Sequence, residues 1–499
     1  MAAMAVNTVI PFLASVVVLL SLGAASDPQQ SITLDRIGVK GQWLVDKFGR
    51  IRLFHGVNSV LKQPPWYDAQ ILNETRLKYF KEWGFNAVRL GTMWTGVEPS
   101  RGAYNQSYLN VMKAAVSSLE KYGMYALLDM HQDQGSTFYN SYDGIPRWLI
   151  AAFDPPLFKF PWPFKKVGYS DFRAYLTEAC GKGFQDLYDN KKGALDAWTG
   201  FWVKVAQTFK DISSVLGYEF INEPWAGNIY VDPALLLPGH AGRKNLLPAY
   251  NRINAAIRNV DNHTLVFYEP VTWGVWLNGT TLGTGFDTVP GGPEYESLSV
   301  LSWHYYCWLI QSGSAEGRPY PTLERFVCDE IQGKDVFKQV VADTLRIGGA
   351  SFMTEFGICE PNKIANSTGN IECGFIMKQA DEHLQSWTYW DLNVFFTPGG
   401  HVNWTGATPF ARPYTRAVAG TPKRMTFNPD DLSFEFDYIV DMNIHAPTEI
   451  FIPPVKYPKG VTVNVTEGLG YTFDSGNHVV LVTAKQATVI ASIRIAPKM

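Results

Sequence analysis

Leu216-Gly217-Tyr218-Glu219-Phe220-Ile221-Asn222-Glu223-Pro224 is an apolar run that turns abruptly polar. It reads as a buried strand that delivers a carboxylate at its end. The same texture recurs at Ile51 to Val57, Ala87 to Leu90, Tyr125 to Met130, Leu265 to Tyr268, Val300 to His304, Ser351 to Phe356 and Ser386 to Trp390. Between these runs lie amphipathic stretches, among them Ile71 to Trp83, Tyr108 to Tyr122, Asp196 to Phe209, Leu246 to Val260 and Asp335 to Ile347. Eight strands alternating with helices predict an α/β fold, a (β/α)8 TIM barrel with long loops over residues 34–415. After Arg416 the pattern changes to short alternating runs, at Ser433 to Tyr438, Glu449 to Ile452, Val461 to Val465, His478 to Val482 and Thr488 to Ile495. That texture predicts a small C-terminal antiparallel β-sandwich over residues 416–499.

Length and composition agree with this division. A chain of 499 residues is too long for one ordinary core. With 46% hydrophobic and 18% charged residues it can fill a packed interior, which excludes a disordered or coiled-coil chain. Its net charge of −3 exerts no long-range pull on nucleic acid. Aromatics reach 14%, with 16 Trp, and their flat faces suit sugar rings and lipid as well as cores.

The N-terminus reads as a signal peptide over residues 1–25. Val9 to Leu22 is almost wholly apolar, and Gly23-Ala24-Ala25-Ser26 offers small residues for cleavage. A signal anchor is the rival reading, because no Lys or Arg opens the chain. Export agrees with N-x-S/T sequons at Asn73, Asn105, Asn262, Asn278, Asn366, Asn403 and Asn464, and the expected destination is secreted or lysosomal. In an oxidising compartment, proximity in sequence pairs Cys307 with Cys328 and Cys359 with Cys373, leaving Cys180 free. There is no C-x-x-C pair to suggest zinc.

Strand after strand ends in a side chain with useful chemistry: Arg89, His131, Glu223, Glu269, His304, Glu355 and Asp391. Barrel enzymes build their sites at that rim. Glu223 is the candidate general acid/base and Glu355 the matching nucleophile, since a retaining glycosidase needs two carboxyls roughly 5 Å apart. Arg89 would hold Glu355 ionised, so that Glu223 is protonated and Glu355 charged as the sugar enters. Asn222 has the right side chain to bind the sugar 2-hydroxyl. His131 and Asp133, spaced i, i+2, read as hydroxyl binders; a metal pair is the rival, but no third ligand is evident nearby. His304 and Tyr306 repeat that spacing and would hold the nucleophile in position. Trp390 could form the sugar floor, and Lys62 lies in the loop after the first strand. Each of these has a structural alternative, as a core or ion-pair residue.

These elements resemble the family 5 glycoside hydrolases in Asn222-Glu223-Pro224, Glu355-Phe356-Gly357, Arg89 and Trp390. Within that family the chain is most similar to the endoglycoceramidase group. The resemblance rests on His55-Gly56-Val57-Asn58 with Lys62, Asp129-Met130-His131-Gln132-Asp133, Asn222-Glu223-Pro224-Trp225 and Trp303-His304-Tyr305-Tyr306. It implies cleavage between oligosaccharide and ceramide in glycosphingolipids without a cofactor. It also implies that Lys62, His131, Asp133, Asn222, Tyr306 and Trp390 contact the glucose next to ceramide. The expected chain is a monomer that touches a membrane or micelle transiently, through an apolar lip at Ile150 to Phe164 and Ala234 to Pro238. The rival enzymes are an exo-acting glucosylceramidase or sterol-glucosidase and a secreted endo-β-glucanase or mannanase. A carbohydrate-binding protein on an inactive barrel is the rival from another class.

Overall fold

The computed structural model describes residues 33–271, 283–310, 316–486 and 490–498. The signal-peptide reading, the sequon at Asn278 and the start of the run at Thr488 lie outside them. Eight parallel strands close a barrel: His55–Ser59, Ala87–Gly91, Tyr125–Asp129, Val215–Glu219, Leu265–Tyr268, Ser299–Tyr305, Ala350–Phe356 and Trp387–Tyr389. The expected helices stand between them, including Glu74–Trp83, Gln106–Lys121, Ala194–Phe209, Leu247–Arg258 and Lys334–Ile347. Asparagines fix where two of them begin. The Asn73 side chain accepts from the N–H groups of Thr75 and Arg76, and that of Asn105 from Tyr108.

The first expected strand is divided. Ile51–Arg52 pairs antiparallel with Ala417 and Val418 of the C-terminal domain, whereas only His55–Ser59 enters the barrel. The reason lies in Asn86, whose amide binds both sides of the break: it accepts from His55 N–H at 2.9 Å and donates to the Leu53 carbonyl at 3.0 Å. With Gly38–Lys40 and Trp43–Val45, the short strand extends a seven-stranded sheet whose other members are Tyr414–Val418, Thr448–Phe451, Leu469–Asp474 and Val479–Ala484. A four-stranded sheet of Gly420–Phe427, Phe434–Val440, Val461–Val465 and Ala491–Pro497 packs against it around Tyr414, Phe436, Ile450, Val480 and Ile493.

Two disulfides, Cys307–Cys328 and Cys359–Cys373, join the residues that proximity favoured, and Cys180 is free and buried. Among the described residues no helix is long and apolar enough to cross a membrane.

Backbones approach closely where the barrel begins. A Cβ on Gly56 would lie 1.9 Å from the Ala87 carbonyl oxygen of the neighbouring strand. Gly56→Ala should therefore cost at least about 3 kcal/mol, because the obstacle is backbone and cannot rotate away. Gly374, inside the helix Thr368–Glu382, has open space around its Cβ position, so Gly374→Ala should stabilise by about 0.5–1 kcal/mol. Chemical denaturation of the two variants checks this; equal effects would contradict it.

Candidate active site

Alternation along the strands sorts the barrel interior into two layers. Toward the N-terminal end Phe54, Ala87, Leu127, Leu265, Phe267 and Phe352 fill it with a dry plug. Two residues further along, the same faces carry Arg89 after Ala87 and Glu269 after Phe267. Charge thus begins where the plug ends, and the guanidinium of Arg89 is fully buried there.

Arg89 organises the layer. Its Nε donates to Glu219 at 2.6 Å, Nη1 to Glu355 at 2.9 Å and Asn58 at 3.1 Å, and Nη2 to Asn222 at 2.9 Å. Asp129 lies 3.2 Å from Nη2 and Glu269 3.8 Å. Burial alone would drive the guanidinium toward neutrality. The charges of Asp129, Glu219, Glu355 and Glu269 outweigh it and hold the cation well above its ordinary pKa. The sequence reading gave this arginine to Glu355; the structure shares it among four carboxylates.

Glu355 reaches the center through an irregularity in its strand: Met353 pairs with Trp303 but Glu355 with His304, one residue out of step. Tyr306 donates to its Oε1 at 2.5 Å and Arg89 to its Oε2. Burial raises the Glu355 pKa, against the pull of His304 and Arg89. Glu223 sits on the turn after its strand, with φ at +40°. His304 Nδ1 lies 3.0 Å from Glu223 Oε1, and His304 Nε2 lies 2.7 Å from Glu269 Oε1, the second an ion-pair contact rather than a linear hydrogen bond. Burial acts to raise the Glu223 pKa, but the bond and charge of His304, with Lys62 and Arg89, lower it overall. The order therefore differs from the sequence expectation, which put the proton on Glu223. Burial lowers the His304 pKa, but the charges of Glu269 and Glu355 and the contact with Glu223 outweigh it and hold the imidazole well above its ordinary value, which favours a proton on His304. His304 serves Glu223, while Tyr306 alone of the pair holds Glu355.

One oxygen of Glu223 and one of Glu355 lie within 4.8 Å of each other. They open on a cavity of about 280 Å³ that His304, Tyr306 and Trp390 also line, together with Phe172, Val271 and Ile358. Next to it stands a polar wall. Lys62 pairs with Asp133 and lies 4.4 Å from the Trp390 ring center, and the His131 ring stacks on Trp390 at 5.1 Å. His131 bonds through Nδ1 to Asp129 at 2.7 Å, and burial with nearby Lys62 keeps its pKa well below normal. The neutral ring thus donates through Nδ1 and leaves Nε2, 3.8 Å from Asp133, as an acceptor. Every residue given a role from the sequence is in this assembly, whereas Asp391 caps the following turn by accepting from the Asn393 N–H.

Asn58, Asp129, Gln132, Glu219 and Glu269 take part without having been singled out as site residues. Gln132 Nε2 donates to the carbonyls of Asn222 at 2.6 Å and Glu223 at 2.9 Å, while Asn222 Nδ2 donates back to the Gln132 carbonyl at 2.9 Å. This reciprocal clamp holds the left-handed turn. Only the position of Glu269 after a strand hinted at its part. Two overlapping sets, Glu219–Glu269–His304 and Glu223–His304–Glu355, are compact enough to surround a cation. Arg89 and protonated His304 already supply positive charge there.

The expected apolar lip divides as well. Ile150 and Leu235 are buried, and Phe153 and Phe160 pack on the core. Leu157 is 78% exposed, and Leu236 and Leu237 also face solvent, as does Val231 just outside the expected segments. Phe158 stacks on Trp162 at 4.1 Å and Trp162 meets Tyr230 at 5.1 Å, all three partly exposed.

Replacing Arg89 with Met would leave buried carboxylates without their shared cation, at a cost of about 3–5 kcal/mol at pH 7. Even beside Arg89, burial pushes Asp129 up to about 6 and Glu269 up to about 7. A folded state whose carboxyl pKa values are raised binds more protons than the unfolded chain, so its stability falls as pH rises toward 7. The Arg89→Met penalty in melting temperature should therefore shrink from pH 7 to pH 5. An equal penalty at both would contradict the shared-cation account.

Comparison with known proteins follows the same division of the chain. The family described as Cellulase (glycosyl hydrolase family 5) matches residues 45–395, and the glycoside hydrolase family 5 C-terminal domain matches residues 412–495. An endoglycoceramidase of Cyanea nozakii is 33% identical over 491 residues, 91% of each chain. Endoglycoceramidase I of Rhodococcus hoagii is 29% identical over 450 residues, covering 89% of this chain and 85% of its own. The structure of endo-glycoceramidase II from Rhodococcus sp. with ganglioside GM3 superposes with a TM-score of 0.76 at 23% identity, covering 92% of this chain and 100% of that one. By the extent of these matches, the chain belongs to glycosyl hydrolase family 5.

Proposed function

We propose that this protein hydrolyses the β-glycosidic bond between oligosaccharide and ceramide in glycosphingolipids, with net retention. The observation that carries the proposal is the pair Glu223 and Glu355, with carboxylate oxygens within 4.8 Å, between a polar wall and an apolar one. That separation suits direct attack by one carboxylate and is too short for the water an inverting enzyme must fit between them. The relatives named endoglycoceramidase support the substrate class.

In this reading Trp390 forms the floor of the subsite for the innermost glucose. Lys62, Asp133 and the Nε2 acceptor of His131 bind its hydroxyls, and Asn222 meets the 2-hydroxyl. Glu355, oriented by Tyr306 and Arg89, attacks the anomeric carbon. Glu223 protonates the leaving ceramide oxygen, then removes a proton from the water that releases the sugar. The apolar side of the cavity, with Phe172, Val271 and Ile358, receives the first atoms of ceramide. Leu157, Phe158, Trp162, Tyr230 and Leu237 supply an apolar landing surface at a membrane or micelle.

One digestion tests both parts. A glycosphingolipid with four or more sugars, presented in vesicles, should yield intact oligosaccharide and ceramide in equal amounts by mass spectrometry. Stepwise release of monosaccharide, or activity confined to glucosylceramide, would move the assignment to an exo-acting glucosidase. Phe158→Ser with Trp162→Ser should slow vesicle digestion while leaving the melting temperature and aryl-glycoside turnover nearly unchanged. Equal loss on both substrates would make these rings part of the barrel's packing.

A further inference from the structure

Glu269 ends the fifth barrel strand and is buried, with 3% of its surface exposed. Its two oxygens serve one neighbour in two ways. Oε2 accepts the backbone N–H of Glu223 at 2.6 Å, and Oε1 lies 2.7 Å from His304 Nε2. The other nitrogen of His304 lies 3.0 Å from Glu223 Oε1. A closed ring results: carboxylate to backbone, backbone to its own side chain, side chain to imidazole, imidazole back to carboxylate. The residue so enclosed has φ at +40°, a conformation that a glutamate does not keep without support.

We propose that Glu269 is a positioning residue for the acid/base: it fixes the Glu223 turn through one oxygen and, through the other, keeps on His304 the proton that Glu223 passes to the leaving group. The inference rests on the reading of Glu223 as acid/base. The transfers balance. His304 Nδ1–H passes its proton to Glu223, and Glu223 delivers a proton to the ceramide oxygen as the bond to the anomeric carbon breaks. In the second step Glu223 takes a proton from the attacking water, and the pair returns to its starting state. One proton leaves with ceramide and one is recovered from water.

The charges around His304 decide whether it can hold that proton. Burial opposes the charged ring, while Glu223, Glu269 and Glu355 surround it directly; Asp129 adds a further negative charge, and Arg89 and Lys62 act alongside His304 on Glu223. Of these charged groups, Glu269 also accepts from the backbone N–H of the acid. An uncharged isostere separates its two tasks: Gln at 269 keeps an oxygen for the Glu223 N–H but removes the charge behind His304.

The test uses the full chain labelled with 15N in its histidines, with the His304 signal identified by its loss in His304→Gln. In the wild type His304 should give imidazolium shifts at pH 7, and the pH at which they change to neutral-ring shifts should be about one unit or more lower in Glu269→Gln. The alkaline limb of kcat/KM should move down by about one pH unit or more in Glu269→Gln, because one lost charge partner lowers the affinity for a proton by that order. A neutral His304 in the wild type at pH 7, or an unmoved alkaline limb in Glu269→Gln, would overturn the inference. If Glu269→Gln does not fold, the wild-type His304 shifts decide alone. Undiminished glycolipid turnover in Glu223→Gln would instead remove the acid/base reading itself.

Discussion

A fully buried guanidinium at the top of an apolar plug cannot exist without compensation, and Arg89 finds it in Glu219, Glu355, Asp129 and Glu269. Transfer of that cation out of water costs far more than any single ion pair returns. Several strands must therefore deliver acids to one point, each within the reach of one planar fork. Neither side can be removed alone: the acids crowd together only because the arginine is there. A ring of carboxylates can then remain near neutral pH in a dry site, and small differences in contact decide where protons sit.

Those differences divide Glu223 from Glu355. Both are buried carboxyls near the same cations, yet Glu355 receives a phenol and the guanidinium while Glu223 faces His304. Burial prevails at Glu355, whereas at Glu223 the bond and charge of His304 with Lys62 and Arg89 together outweigh it, so the two pKa values move in opposite directions. The shifts thus favour charge on Glu223 balanced by a proton one bond away on His304.

Much of this was legible in the chain because a barrel strand is read by period and ends where its apolar run ends. Glu223 and Glu355 could be found that way, as could Arg89, His131 and Trp390. Edge strands were harder. Gly420–Phe427 carries Pro422 and exposed Lys and Arg, and Leu469–Asp474 is largely exposed, so neither shows a clean alternation. The division of the first strand was hidden because it depends on Asn86, which is distant in sequence. Glu269 was visible as a strand-terminal acid, but its task depends on two contacts that no local pattern encodes. The lip was half legible, since an aromatic run does not say which rings face inward.

The central claim is that Glu355 forms the covalent bond and Glu223 manages the proton. A 2-deoxy-2-fluoro glycosyl fluoride slows turnover enough to accumulate the intermediate, and peptide mass mapping then locates the sugar. The account requires a single adduct on Glu355 in the wild type and in Glu223→Gln. An adduct on Glu223 would exchange the two roles, and inverted product without any adduct would contradict the double-displacement reading altogether.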